Sequence, residues 1–175
     1  IKEPLVIENK RISRNPKISR DFRKVIAIDI ENQNMIVFEK NNDVWEVVSY
    51  VYSKTGIESE LGFETPKGFF IAPMAKYIMP YNSEIGEKQG YARYAIRFSG
   101  GYYLHGIPLK DELKGKERDA TRKRVEAILG SHPSSHGCVR NSDEDAKFIY
   151  DWTNPIAIRK DYFVPTFPVA VIITD

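Results

Sequence analysis

Short apolar runs, rich in Val, Ile, Tyr and Phe, recur along most of this chain between turn-forming residues. Such side chains favour strands because they pack well on a pleated surface. The chain is therefore predicted to fold mainly as β-sheet. The runs are Val25–Ile30, Met35–Phe38, Val44–Ser53, Phe69–Ala72, Tyr91–Ser99, Tyr102–His105, Ile156–Ile158 and Val169–Thr174.

Two connections between these runs predict turns. Glu31–Asn34 would join the first two runs as a hairpin. In Thr65-Pro66-Lys67-Gly68, the proline and the glycine fit the second and fourth positions of a tight turn. Pro73–Gly90 contains two prolines and is predicted to be a surface crossing rather than one of the strands.

Two short helices are predicted in the second half of the chain. Glu117–Leu129 favours helix and ends before Gly130. Ser142 begins a capping-box sequence, and the helix after it would extend to about Trp152.

Length and charge limit the domain organisation and the class of protein. The 175 residues, 42% hydrophobic, suit a single domain with its own core. A net charge of +2 gives no indication of nucleic acid as a partner. No run is long enough to span a membrane, and no signal peptide is predicted. Residues 1–24 are predicted to be a basic lead-in or the end of a linker, and residues 25–175 the domain.

The reactive residue types are concentrated in Ser134–Asn141, here called the cysteine loop, which holds the only cysteine of the chain. A nearby imidazolium or guanidinium stabilises a thiolate, and His136 and Arg140 each lie two residues from Cys138. Gly137 lets the backbone approach a substrate closely, so the amides of Gly137 and Cys138 could face a developing oxyanion. This pattern indicates the nucleophile loop of a cysteine acyl-transfer enzyme, which needs no cofactor.

A general base is available at His105, which ends an apolar run and precedes Gly106. The residues alone leave three alternatives open. Cys138 could be an inert buried thiol, and His105 a structural histidine. Zinc could bind His132, His136 and Cys138, although only the spacing of the two histidines is typical of a zinc site.

The segment Ser135-His136-Gly137-Cys138-Val139-Arg140 resembles the cysteine signature of the L,D-transpeptidase catalytic (YkuD) domain family. Leu104-His105-Gly106 is similar to the family's upstream histidine segment, and Thr65-Pro66-Lys67-Gly68 to its TPxG turn. The segment from Asp145 to Asp151 is similar to the helix that follows the cysteine. These segments occur in the expected order between about Val25 and Ile173.

The resemblance implies a β-sandwich-like fold and an enzyme of bacterial peptidoglycan. In that family the cysteine attacks the bond between the third residue and the terminal D-Ala of a tetrapeptide stem. The acyl group then passes to an amine of a neighbouring stem, which gives a 3→3 crosslink. Expected partners are donor and acceptor stems and carbapenem-type inhibitors, and the expected location is extracytoplasmic. The alternatives are an L,D-carboxypeptidase that uses water as acceptor and a non-catalytic wall-binding domain.

Carried over by position, the resemblance implies that Cys138 is the nucleophile and that His105 accepts and donates the proton. The carbonyl of Gly106 would orient the imidazole. His136 would support the loop and help to polarise the thiol, and Gly137 would supply an oxyanion amide with Cys138. Expected substrate contacts come from Tyr103, Ser135 and Arg140. Arg140 would either stabilise the loop or bind a substrate carboxylate.

The chain departs from the family in the length between its histidine and cysteine segments, which is greater here by the charged residues 110–130. This insertion could be a lid beside the site or a surface excursion with no role in catalysis. If the alignment shifts across it, His132 would replace His105 as the base.

Overall fold

The computed structural model describes residues 22–57, 64–82 and 86–175, and the predicted lead-in lies largely outside this range. Twelve strands and two helices form in the described residues. The strands are β1 (Lys24–Asp29), β2 (Asn34–Asn41), β3 (Val44–Tyr52), β4 (Gly68–Ile71), β5 (Met74–Asn82), β6 (Lys88–Ser99), β7 (Tyr102–His105), β8 (Leu109–Lys110), β9 (Val139–Arg140), β10 (Pro155–Arg159), β11 (Tyr162–Pro165) and β12 (Val169–Thr174). The helices are α1 (Gly115–Glu126) and α2 (Asp143–Trp152).

The strands are arranged in two sheets. The first has the order β3-β2-β1-β12-β4, and the second β10-β11-β5-β6-β7-β9, with β8 paired to β6. Two contacts are parallel, β1 with β12 and β7 with β9. The predicted hairpin is confirmed, since β1 and β2 pair in antiparallel orientation. A mainly β fold with two helices is confirmed as well.

The main core lies between the inner faces of the two sheets. Ile26 and Ile28 of β1 share a buried cluster with Ile96 of β6 and Leu104 of β7. The intervening β1 residues, Val25 and Ala27, belong to a second cluster with Phe38 and Trp45. Both faces of β1 are therefore buried, which explains its continuous apolar run.

Helix α2 covers one end of the main core through the buried residues Ala146, Ile149 and Tyr150. As predicted, Ser142 caps it, because the Ser142 hydroxyl oxygen accepts a hydrogen bond from the amide of Asp145 at 2.9 Å. Among the described helices, none is long and apolar enough to cross a membrane.

The prediction for Pro73–Gly90 is wrong, because β5 and the start of β6 occupy most of that segment. Pro80 pairs with Tyr91 of β6, whereas the pairing of β5 with β11 is at Ala75. Pro80 therefore lies where β5 has a neighbour on one side only, and its missing N–H is tolerated as on an edge strand. Pairing with β6, rather than the local sequence, makes this segment a strand.

The core assignment predicts different effects for two isoleucines. Ile26 is fully buried and Ile158 is 63% exposed. We expect Ile26→Ala to lower the free energy of unfolding by about 3–4 kcal/mol, through lost burial and a residual cavity. The matched change Ile158→Ala should cost less than about 1 kcal/mol. Urea unfolding measures both values, and equal losses would contradict the burial of Ile26 between the sheets.

Candidate active site

The parallel contact between β7 and β9 brings the predicted site residues together. Leu104 lies opposite Val139, and His105 lies opposite Arg140. Leu104 and Val139 point into the main core, so alternation along the strands places His105 and Arg140 on the other face of the sheet. Cys138 directly precedes β9. Histidine and cysteine segments that are distant in sequence thus become neighbours across two strands.

The imidazole of His105 is held in one tautomer. Its Nδ1 lies 2.6 Å from the carbonyl oxygen of Gly106, and this oxygen can only accept a hydrogen bond. Nδ1 therefore carries the proton, and Nε2 keeps a lone pair. Burial lowers the pKa of His105 from 6.5 to about 4. The hydrogen bond to Gly106 raises this pKa in part, and the charge of Arg140 lowers it by a smaller amount. At neutral pH the ring is an uncharged proton acceptor.

The thiol of Cys138 is half-buried, and the residue directly precedes β9, which pairs with the strand that carries His105. Burial raises the pKa of Cys138, while a hydrogen bond to the backbone of Tyr103 and the charge of Arg140 lower it. Since burial has the largest effect, the resting site holds a protonated thiol rather than a thiolate. Attack by the sulfur then requires a base.

Gly137 gives the cysteine loop its shape. Its φ of 92° is in the left-handed region that favours glycine. A Cβ at this position would lie 2.1 Å from Cε1 of Tyr102, so no side chain fits. The hydroxyl of Ser135 donates a hydrogen bond to the carbonyl of Cys138, which closes the loop on itself. The backbone before β9 is therefore fixed from both sides.

Thr65 connects the TPxG-like turn to the cysteine loop, a role that the sequence did not indicate. The side chain is fully buried. Its hydroxyl oxygen accepts a hydrogen bond from the amide of Gly56 at 2.7 Å and donates one to the carbonyl of Gly137 at 3.0 Å. The turn motif is the only signal in the sequence that could have pointed to this contact.

Asp143, at the start of α2, is a second residue that sequence reasoning missed. One carboxylate oxygen accepts a hydrogen bond from the amide of Ile107 at 2.8 Å, and the other lies 2.9 Å from Nε of Arg122 in α1. A Cβ on Gly106 would lie 2.4 Å from the Asp143 carboxylate. Gly106 is thus required for close packing as well as for orienting the histidine.

In the described part of the chain, the other two histidines form no hydrogen bond with His105 or Cys138. His136 is exposed, and its side chain forms no hydrogen bond with the part of the chain that the structure describes. His132 is also exposed, with Nδ1 at 3.0 Å from the Ser131 hydroxyl. Within residues 22–57, 64–82 and 86–175, no group of three or more His, Cys, Asp or Glu side chains is placed to hold a metal ion.

The charged insertion 110–130 contains α1, which has no buried residue. A pocket of about 300 Å³ lies between β3, the end of α1 with the segment after it, and the start of α2, and neither His105 nor Cys138 lines it. A lid role for the insertion stays a prediction. The pocket is lined by Tyr50, Tyr52, Glu126, Leu129, Ser142, Glu144 and Asp145.

Comparison with known proteins finds a relative and several solved structures that are similar to this chain. The chain is 24% identical, over 72% of its own length and 59% of the relative, to the YciB protein of Bacillus subtilis (strain 168), which bears a provisional L,D-transpeptidase name. The L,D-transpeptidase from Mycobacterium smegmatis has a similar structure, with a TM-score of 0.60, 19% identity and coverage of 87% of this chain and 59% of that one. For the L,D-transpeptidase LdtMt1, solved in complex with imipenem, the TM-score is 0.58 and the identity is 19%. That match covers 86% of this chain and 59% of the other.

The chain spans 59% of the length of each of these three proteins. The family model of the L,D-transpeptidase catalytic domain (YkuD) matches residues 23–171, which include both sheets and the cysteine loop. This chain therefore belongs to the L,D-transpeptidase catalytic domain (YkuD) family.

Proposed function

We propose that this protein is a peptidoglycan L,D-transpeptidase that forms 3→3 crosslinks through an acyl-enzyme on Cys138. The observation that carries the proposal is the pairing of β7 with β9, which places His105 and Arg140 side by side next to Cys138 in a chain of this family. Because the family acts on the cell wall, the proposed location is extracytoplasmic. A related enzyme binds imipenem, so we expect Cys138 to react with carbapenems too.

In the first half-reaction, Nε2 of His105 takes the proton of the thiol while the sulfur attacks the carbonyl carbon before the terminal D-Ala. The amides of Gly137 and Cys138 would stabilise the oxyanion. The imidazolium forms next to this new negative charge, which favours it despite the low resting pKa of His105. It then donates the proton to the departing amine of D-Ala, and a thioester on Cys138 remains.

In the second half-reaction, an acceptor amine attacks the thioester carbonyl. His105 removes a proton from this amine, and the sulfur of Cys138 leaves and takes the proton back from the ring. Arg140 would stabilise the transient thiolate, since its charge already lowers the pKa of Cys138. Ser135 uses its hydroxyl to hold the loop, so we assign it an orienting role. A substrate contact by Tyr103 stays a prediction.

The nucleophile and base assignments can be tested with three variants. We expect Cys138→Ala to release no D-Ala from a tetrapeptide stem, because no other cysteine is available. His105→Ala should lower kcat by about 10²–10⁴-fold through loss of the base. His132→Ala should stay near wild type, because its ring is exposed and contacts Ser131.

Mass spectrometry of the protein with the stem, with and without an acceptor amine, detects the acyl-enzyme and its fate. Transfer of the acyl group to water alone would favour the alternative function, an L,D-carboxypeptidase. Full turnover by Cys138→Ala, or loss of activity in His132→Ala alone, would overturn the assignments.

The low pKa of His105 predicts that the protein loses stability as the pH is lowered. Between pH 6.5 and about 4, the unfolded chain protonates this histidine and the folded chain does not. The free energy of unfolding therefore rises with pH across this window, by about 3 kcal/mol in total. His105→Gln should flatten the dependence, while His132→Gln should keep it because that ring is exposed. Urea unfolding at a series of pH values checks this, and an unchanged slope in His105→Gln would refute it.

Thr65 is expected to position the cysteine loop for acylation. Thr65→Val keeps the shape but leaves the amide of Gly56 and the carbonyl of Gly137 without their buried partner. We expect a loss of about 2–4 kcal/mol in stability and a lower acylation rate. Thr65→Ser keeps the hydroxyl and should restore both properties. Single-turnover acylation by imipenem, measured where both variants remain folded, decides the matter, and a wild-type rate for Thr65→Val would exclude the positioning role.

A further inference from the structure

Lys54 is a buried charge without a counter-charge in the described part of the chain. Its side chain is 1% exposed, and its ammonium Nζ forms no hydrogen bond with any described residue. Lysine is almost never fully buried unless it is paired, because an ammonium loses its hydration on burial. An unpaired buried lysine is therefore a candidate for pairing with a bound anion.

The position of Lys54 places this charge beside the candidate active site. Lys54 and Arg140 form an antiparallel bridge, in which each backbone amide donates to the other residue's carbonyl at 2.9 Å. Directly opposed residues of an antiparallel pair project their side chains to the same side, with Cβ atoms about 4.5–5.5 Å apart. Arg140 therefore has Lys54 on one side and His105 of β7 on the other.

Two positive charges opposite each other destabilise a sheet when nothing lies between them. Burial, followed by the charge of Arg140, lowers the pKa of Lys54. In the described residues, no carboxylate forms an ion pair with either cation, although other lysines and arginines of the chain do have such partners. A bound anion would relieve the repulsion and supply the missing acceptor.

We propose that Lys54 and Arg140 together form an anion site that binds a carboxylate of the donor stem peptide next to Cys138. The nature of the donor rests on the proposed function, but the anion site itself does not. Arg140 lies two residues from Cys138, about 6–7 Å along an extended strand. A carboxylate there is within a few bonds of the carbonyl that the sulfur attacks. Two groups meet this requirement, the terminal carboxylate of D-Ala and the side-chain carboxylate of a diaminopimelate at the third position.

Lys54 is already buried in the folded state before a ligand arrives. Its loss of water is therefore part of the cost of folding and adds little to the cost of binding. Lys54 would thus lower stability and raise affinity, and Lys54→Met is expected to raise the midpoint of thermal unfolding. A lysine with a purely structural role would have the opposite effect.

A pair of alkylating reagents tests the anion site without any assay of transpeptidation. Iodoacetate and iodoacetamide differ only in a carboxylate and a neutral amide, and in both the thiolate displaces iodide to form a sulfur–carbon bond. The single cysteine of the chain makes the reaction specific for Cys138. Since both reagents attack the same thiolate, the ratio of their rates cancels any change in the thiolate population.

We expect Lys54→Met to lower the iodoacetate-to-iodoacetamide ratio by about fivefold at low salt, by the loss of one nearby charge. Lys54→Arg should keep the ratio. Lys147→Met removes an exposed lysine that pairs with Asp151 in α2, and it should leave the ratio unchanged. An unchanged ratio in Lys54→Met, or an equal fall in Lys147→Met, would overturn the proposal.

Donor variants then identify the carboxylate. Tetrapeptide stems are compared as the free acid and the D-Ala amide, each with lysine or diaminopimelate at the third position. The KM increase caused by Lys54→Met should disappear for donors that lack the recognised carboxylate, and this pattern names its source. An equal increase for all donors would contradict carboxylate recognition. If no donor is turned over while the alkylation ratio still falls, the proposed function fails and the anion site stands.

Discussion

The parallel contact between β7 and β9 is the interaction on which the rest of the site depends. It is only two residues long, so its own hydrogen bonds cannot fix the geometry. Neighbouring contacts supply the rigidity. The amide of Asn141 donates to the carbonyl of His105 at 3.0 Å, and the hydroxyl of Ser53 donates to the Asn141 side chain at 2.7 Å. Thr65 holds the loop that leads into β9. A short contact thus becomes a rigid one because buried polar groups have no alternative partner.

Burial decides the resting charge state of this site. The imidazole of His105 and the thiol of Cys138 are both neutral at neutral pH, since burial disfavours each charged form. Arg140 and Lys54 lie beside these two neutral groups. Cationic side chains at this place suit the negative charges that the proposed donor carboxylate and oxyanion would bring.

Much of this arrangement could be predicted from the sequence, because local composition determines it. The β-branched runs predicted most strands, Ser142 predicted the cap of α2, and the segments around Cys138 and His105 indicated the family. Contacts between distant residues could not be predicted. The bridge between Lys54 and Arg140 is one such contact. The exposure of His136 follows from the left-handed turn at Gly137, which ends the alternation that would have kept His136 on the side of Cys138.

The topology of the first sheet also determines when the site can exist. β12, made from the last described residues, lies in the interior of that sheet between β1 and β4. β1 cannot pair along both edges until β12 is in place. Three β12 residues also belong to the main core against which Leu104 and Val139 pack, namely Val169, Val171 and Ile173. A chain in which β12 has not yet joined the first sheet would lack this support. The geometry around Cys138 is therefore complete only once the whole domain has folded.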